Sequence, residues 1–391
     1  MKNIKRMFSV SIAVFFVLLF IAGSASAATL YVAADGSKQY KTIQSAVNAA
    51  KEGDTIQVAS GTYKETVNMT SSHLTFIGKG YPKVNGFKNY QLPDVGEGDF
   101  GTEYETINGF KIMKDGVSVY GRYSSENTVR NNYFYSCGVA IDGYESGVGD
   151  IIMNNEFRGG GIRLGYLNGG WGSKITGNRI YNSNEGIYLG GAGTICDEIS
   201  GNTISGCNIG LKIEGPTAGA NLIYNNVFNN TVNVKLQDVT EVENWNKYPA
   251  IKSINIIGGP YIGGNYWGSL NKKGFSQTHL DTNGDGIAEV SYTIDGQNVD
   301  KLPLVTPLKA PVASFVASKS SGKAPLKIQF TDRSTGTITS WKWSFGDNTY
   351  STTKSPSHTY SKAGKYKVSL TVKNGAGSST KTLSGYITVS K

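Results

Sequence analysis

Three carboxylates and two arginines near the middle of the chain have the types that polysaccharide cleavage needs: Asp142, Asp150 and Glu156, with Arg158 and Arg163. A lyase requires a carboxylate cluster that holds Ca²⁺ against a uronate, and a Lys or Arg that takes the proton beside its carboxyl. These five are the set that could serve, and their spacing does not force them together. Hydrolysis needs two carboxylates facing one bond. Asp197 and Glu198 are the adjacent acidic pair of this region, but consecutive strand residues point apart. His73, His279 and His358 lie outside the central region.

The elements that position these residues follow from a repeat. Asn85, Asn108, Asn132, Asn155, Asn178, Asn202 and Asn226 recur at gaps of 23 or 24 residues. Two positions after each stands Phe87, Phe110, Phe134, Phe157, Ile180, Ile204 or Phe228. A second apolar pair follows, as in Val139 and Ile141, Ile162 and Leu164, Ile187 and Leu189, Leu211 and Ile213. Short alternating runs parted by Asn- and Gly-rich corners describe a parallel β-solenoid with about 23 residues per coil. The apolar columns are expected inside. The seven asparagines are expected in one row at a corner, where Asn tolerates left-handed backbone and bonds to the next coil.

On that register, the outward positions also form rows. Tyr135, Arg158 and Tyr181 stand three residues after a ladder Asn, and Arg163, Tyr188 and Lys212 stand between second apolar pairs. Aromatic faces suit the apolar faces of sugar rings, and guanidinium forks suit carboxylate or sulfate. Such rows on a solenoid exterior also serve solubility alone. Asp281, Asn283 and Asp285, with Gly286 at the sixth place, fit the start of an EF-type calcium loop. The twelfth place is Tyr292, so Glu289 would have to complete the shell of a structural Ca²⁺. A plain Asn/Gly turn fits the same residues. No organic cofactor is expected. Asn68 and Asn229 head sequons.

Residues 1–27 read as a secretory signal: Lys2, Lys5 and Arg6, an apolar run from Phe8 to Ile21, then Ala25-Ser26-Ala27. Its removal would leave about 364 residues, enough for two domains. No membrane span is expected after that removal. Cys137, Cys196 and Cys207 are too few for a disulfide scaffold, with a bridge between Cys196 and Cys207 left open. Thr42 can cap a helix whose Ile43, Ala46, Val47 and Ala50 share a face and which Gly53 can end, a lid for the first coil. The first strand is expected to begin at Asp54.

The opening Thr42-Ile-Gln-Ser-Ala-Val47, Gly53-Asp-Thr-Ile-Gln-Val58 and Gly61-Thr-Tyr-Lys-Glu65 resembles right-handed β-helix proteins of the pectin lyase-like superfamily, especially the NosD-like branch. Gly263-Gly-Asn-Tyr-Trp-Gly268, Asp281-Thr-Asn-Gly-Asp-Gly286 and Leu302-Pro-Leu304 resemble that branch's closing segment. Copper handling, which the resemblance suggests, needs soft ligands in clusters. The scattered His, Cys and Met here do not provide them, so the resemblance supports the fold alone.

After a Pro-containing linker (307–311), residues 312–391 alternate with turns at short intervals and no helix signal, the pattern of a small Ig-like β-sandwich. Trp341-Lys-Trp-Ser-Phe-Gly-Asp347, His358-Thr-Tyr360 and Gly364 to Val372 resemble a PKD domain, with Asn348 where that family usually has Gly. The resemblance implies an exported setting, as in archaeal surface proteins. The net charge of +9 is unevenly spread: residues 311–391 hold eleven Lys and Arg333 against Asp332 and Asp347, and residues 28–310 are net acidic. A basic C-terminal domain suits an anionic polymer or surface. Nucleic acid is not an expected partner, since no binding motif for it is present. The sequence is therefore read as all-β: a right-handed parallel β-helix with an N-terminal cap helix over residues 28–306, then the sandwich. The expected function is a secreted, cell-surface structural or adhesion protein whose rigid face binds polysaccharide, acidic or not, or a surface glycoprotein. A polysaccharide lyase or glycoside hydrolase with an accessory PKD domain is the alternative.

Overall fold

Parallel strands one coil apart register residue against residue, so the position of each side chain is fixed by its partner in the next coil. The computed structural model describes residues 26–70, 73–90, 104–122, 126–144, 149–166, 170–191, 194–195, 198–215 and 221–391. Residues 1–25 of the signal reading, Cys196 and Asp197 lie outside them.

One sheet has nine parallel strands, beginning with Thr29–Val32 and ending with Leu222–Tyr224. Strand formation therefore begins before Asp54. Ile56, Phe76, Ile107, Val129, Ile152, Ile175, Ile199 and Ile223 stack in register along its inner side, all buried.

The other large sheet forks at the long strand Lys111–Arg122. Its start continues into the first arm: Tyr133–Tyr135, Glu156–Arg158, Arg179–Tyr181, Thr203–Ser205, Val227–Asn230 and Tyr266–Ser269. Its end continues into the second arm: Val139–Tyr144, Ile162–Tyr166, Glu185–Gly190, Ile209–Glu214 and Val232–Gln237. Phe134, Phe157, Ile180, Ile204, Phe228 and Trp267 form the buried column of the first arm.

Asn132, Asn155, Asn178, Asn202 and Asn226 make the expected row, all buried. The main-chain N–H and the side-chain amide of each donate to Oδ1 of the next, from Asn132 on Asn155 at 3.0 and 3.1 Å to Asn202 on Asn226 at 3.0 and 3.0 Å. Asn265 continues the row beyond Asn226, and its N–H donates to Asp300 Oδ2 at 2.7 Å. The left-handed residue is not the ladder Asn but the one before it: Asn131, Asn154, Gly177, Gly201 and Asn225 have φ of 55, 55, 66, 67 and 55°.

Asn85 and Asn108 are not in the row. Asn108 pairs with Arg130 in the nine-stranded sheet, and Phe110 takes the row's place, its N–H donating to Asn132 Oδ1 at 2.9 Å. Val84 and Ile112, not Phe87 and Phe110, precede Phe134 in its column, while Phe87 registers with Val117 of the other apolar column. A register shift between Val84 and Gly86 breaks the count of residues there.

The N-terminal helix is shorter than the pattern suggests, Ile43–Val47, with Asn48 rather than Gly53 at its end. Thr42 Oγ1 accepts from Ser45 N–H, and Glu65 accepts the Ile43 and Gln44 N–H groups, so its first turn is fully bonded. Ile43, Ala46 and Val47 are buried against the first coils.

A second core, from Ala313 to Val389, lies between a three-stranded and a five-stranded sheet and centres on Phe330, Trp343 and Tyr360. Asn348 adopts φ 68°, the left-handed geometry that Asn tolerates in place of Gly.

Candidate functional site

The five residues suited to lyase chemistry fall in three places. Asp150 is buried at the corner before Ile151, where its Oδ1 accepts the main-chain and side-chain N–H groups of Asn127 at 2.9 and 3.1 Å. It is one rung of a second corner ladder, in which Glu105 N–H donates to Asn127 Oδ1 and Asn221 N–H to Glu243 Oε2. Glu156 and Arg158 lie on the first arm, paired with each other at 2.6 Å. Asp142 and Arg163 lie on the second arm, paired at 3.2 Å.

No pair of carboxylates from this set faces a common point. The Glu156 hydrogen bond also holds the Arg158 guanidinium above even its usual high range, which makes it a poorer proton acceptor. Of the acidic pair considered for hydrolysis, Glu198 points outward from the nine-stranded sheet and accepts from Tyr224 Oη at 2.7 Å.

The binding rows do form. On the second arm Arg163, Tyr188 and Lys212 are registered neighbours. The Arg163 guanidinium lies 4.2 Å from the centroid of the Tyr188 ring, and Lys212 Nζ lies 5.3 Å from it on the next coil. Gly165 and Gly190 let these side chains lie flat: a Cβ on Gly190 would collide with the Tyr188 ring, and one on Gly165 with Asp142 Oδ1. Lys212 is held by Glu214 at 2.6 Å and faces Glu185 at 3.9 Å. The Glu214 bond raises the Lys212 pKa and in return lowers that of Glu214. On the first arm Tyr135, Arg158 and Tyr181 are in register, with Arg158 5.8 Å from the Tyr181 centroid.

Both faces therefore present tyrosine rings beside cations already neutralised by neighbours. Sequence reasoning missed Glu185 and Glu214, the partners of Lys212. It named Glu156 but missed its registered neighbours Tyr133 and Arg179, in the outward row one residue after each ladder Asn, whose signal was the ladder itself.

The 281–289 loop is closed by hydrogen bonds from main-chain amides to the side-chain oxygens that the sequence marked. Asp281 Oδ1 accepts from Asn283 and Gly284 N–H, and Oδ2 from Gly286 and Leu308 N–H, at 2.7 to 3.2 Å. Asn283 Oδ1 takes Asp285 N–H, Asp285 Oδ1 takes Ile287 N–H, and Glu289 Oε1 takes Thr282 N–H. These bonds fix the loop's shape, and no group of three or more His, Cys, Asp or Glu suited to a metal occurs among the described residues. The loop also receives the second domain: a Cβ on Gly284 would meet Ala376, and one on Gly375 would collide with the Thr282 carbonyl.

Cys137 and Cys207 are free thiols whose pKa values burial raises, which disfavours the thiolate a soft metal needs.

Among the described residues no helix is long and apolar enough to cross a membrane. Residues 99–272 match the family described as periplasmic copper-binding protein (NosD), and residues 308–389 match the PKD domain. Over 65 residues the chain is 42% identical to collagenase ColA of Bacillus cereus, which is 16% of this chain and 7% of that protein. The PKD1 domain of the Vibrio cholerae metalloprotease PrtV is 33% identical, covering 21% of this chain and 100% of that one, with a TM-score of 0.19. A structure of carbohydrate-binding modules of the β-sandwich superfamily is 30% identical over 21% of this chain and 35% of its own, with a TM-score of 0.20. The chain spans so little of the collagenase that none of its activity transfers. The chain joins a NosD-type right-handed β-helix to a C-terminal PKD domain.

Proposed function

We propose that this is an exported, non-enzymatic surface protein whose β-helix holds polysaccharide on the forked sheet while the PKD domain makes basic surface contacts. The observation that carries the reading is the flat Arg163–Tyr188–Lys212 column, with its glycine-cleared surface and internally paired cations. Stacking on such a face needs no net charge, which suits sugar rings along a stiff chain. In the PKD domain, by contrast, no lysine is in an ion pair among the described residues. Its charge is free to attract an anionic polymer.

A glycan array with product analysis tests this on the whole chain. Tyr188→Ala should weaken glycan retention while leaving the melting midpoint unchanged. The salt-sensitive part of retention should fall with lysine-to-glutamine changes in the PKD domain, since exposed charge attraction is screened within about 10 Å at 0.1 M salt. Release of unsaturated or shortened oligosaccharides, lost in Arg158→Ala, would overturn the non-enzymatic reading in favour of a lyase.

A further inference from the structure

The outward row directly after the ladder asparagines, Tyr133, Glu156 and Arg179, forms one wall of a cleft of about 250 Å³ on the first arm. Asn131, Asn154, Gly177 and Tyr81 line it as well. Tyr81 is a bulky residue held at φ 54° between Gly80 and Pro82, a left-handed geometry that costs energy and persists only where the surroundings enforce it. That geometry sets its ring edge-on to Tyr133, with centroids 5.0 Å apart.

The charges in the cleft are unequal. Glu156 is taken by Arg158, whereas Arg179 is exposed and in no ion pair among the described residues. Beyond Arg179 the same row continues as Thr203 and Val227, so the unopposed cation marks the end of the cleft. The Asn131 side-chain amide is bonded to Asn108, while that of Asn154, exposed, has no partner among the described residues.

We infer that this cleft is a subsite for one anionic sugar residue, carboxylated or sulfated, of a bound polysaccharide. The inference rests on the polysaccharide reading above and adds to it a place and a charge. The Arg179 fork takes the anionic group in a paired, charge-assisted contact. Tyr81 and Tyr133 wall the apolar edge of the ring, and the Asn154 amide meets a hydroxyl. The neighbouring ridge, with its cations already paired, takes the uncharged stretches of the chain.

Calorimetry on the full chain tests this with three probes of equal length: an oligogalacturonate, a sulfated oligosaccharide and a neutral glucan. One anionic probe should bind in preference to the neutral one, and which of the two it is identifies the anionic group. Arg179→Gln should weaken that probe about tenfold to hundredfold and erase the preference. Gly177→Asn should block the cleft and push the Asn154 side chain aside, while its backbone keeps the left-handed place that Asn holds in the two preceding coils. Binding unchanged in both variants, with loss in Tyr188→Ala, would refute the cleft and leave the polysaccharide reading standing. No binding of any probe would sink both.

Discussion

Asn155 donates twice to a single atom of Asn178, through its main-chain N–H at 3.0 Å and its side-chain amide at 3.1 Å, both to Oδ1. Asn178 in turn donates its amide to the Ile152 carbonyl at 2.8 Å. One buried side chain thus satisfies three groups of the preceding coil. Replacing it orphans them in an interior where each unmade hydrogen bond costs about 1–3 kcal/mol. Asn178→Ala should lower stability by at least about 2 kcal/mol, read from the denaturant midpoint. Asn108→Ala, outside the row and half-buried, should cost far less. Equal losses would mean that the row is not a special support.

Phe157 stacks on Phe134 with ring centroids 4.5 Å apart and planes within 9°, both rings fully buried. Truncation leaves a void between coils that the parallel register cannot close. Phe157→Ala should cost about 3–5 kcal/mol. An unchanged melting midpoint would contradict the buried column.

Three buried carboxyls set a pH dependence. Burial raises Glu105 to about 8, Glu243 to about 7 and Asp300 to about 7, the last two against the pull of N–H donors. A carboxyl whose folded pKa lies above its unfolded one keeps a proton that the unfolded chain has released. Its stabilising effect is therefore present at acid pH and is lost as pH rises from about 4 through the folded values, with a slope of about 1.4 kcal/mol per pH unit and group. The melting midpoint should fall between pH 5 and pH 8. Glu243→Gln keeps an acceptor for Asn221 N–H and should make that fall shallower. A midpoint that rises over the same interval would refute the assignment.

The loop closed by Asp281 also ties down the linker, since Leu308 N–H donates to its Oδ2 and Asn374 Nδ2 donates to the Lys309 carbonyl at 2.7 Å. Gly375→Val places a side chain against the Thr282 carbonyl, where even a Cβ collides. The variant should expose residues 308–311 to limited proteolysis while each domain keeps its own core. Cleavage no faster than in the parent would show that this contact does not hold the domains together.

The sequence alone determined the solenoid wherever coil length is constant. From Asn132 to Asn226 the gaps of 23 and 24 residues equal one turn each, so counting residues and counting hydrogen bonds give the same row. It likewise marked the buried Phe and Ile columns, the capping Thr42 and the second β domain, because alternation and turn chemistry are local properties. Before Asn132 the count fails. The register shift at Val84 and the long stretch between Asn89 and Thr106 change the number of residues per turn, and only cross-coil pairing reveals that Phe110 occupies the ladder place. Tertiary structure also decided the chemistry. Asp142, Asp150 and Glu156 look alike in sequence, yet the fold assigns them to a surface ion pair, a buried corner and another ion pair on a different arm. Asp281 reads in sequence only as the first residue of a turn or calcium loop, whereas in the fold four backbone amides, one of them 27 residues away, converge on it. Spacing along a chain fixes which residue types recur, but partners separated by a whole coil or by a domain boundary are chosen by three-dimensional packing.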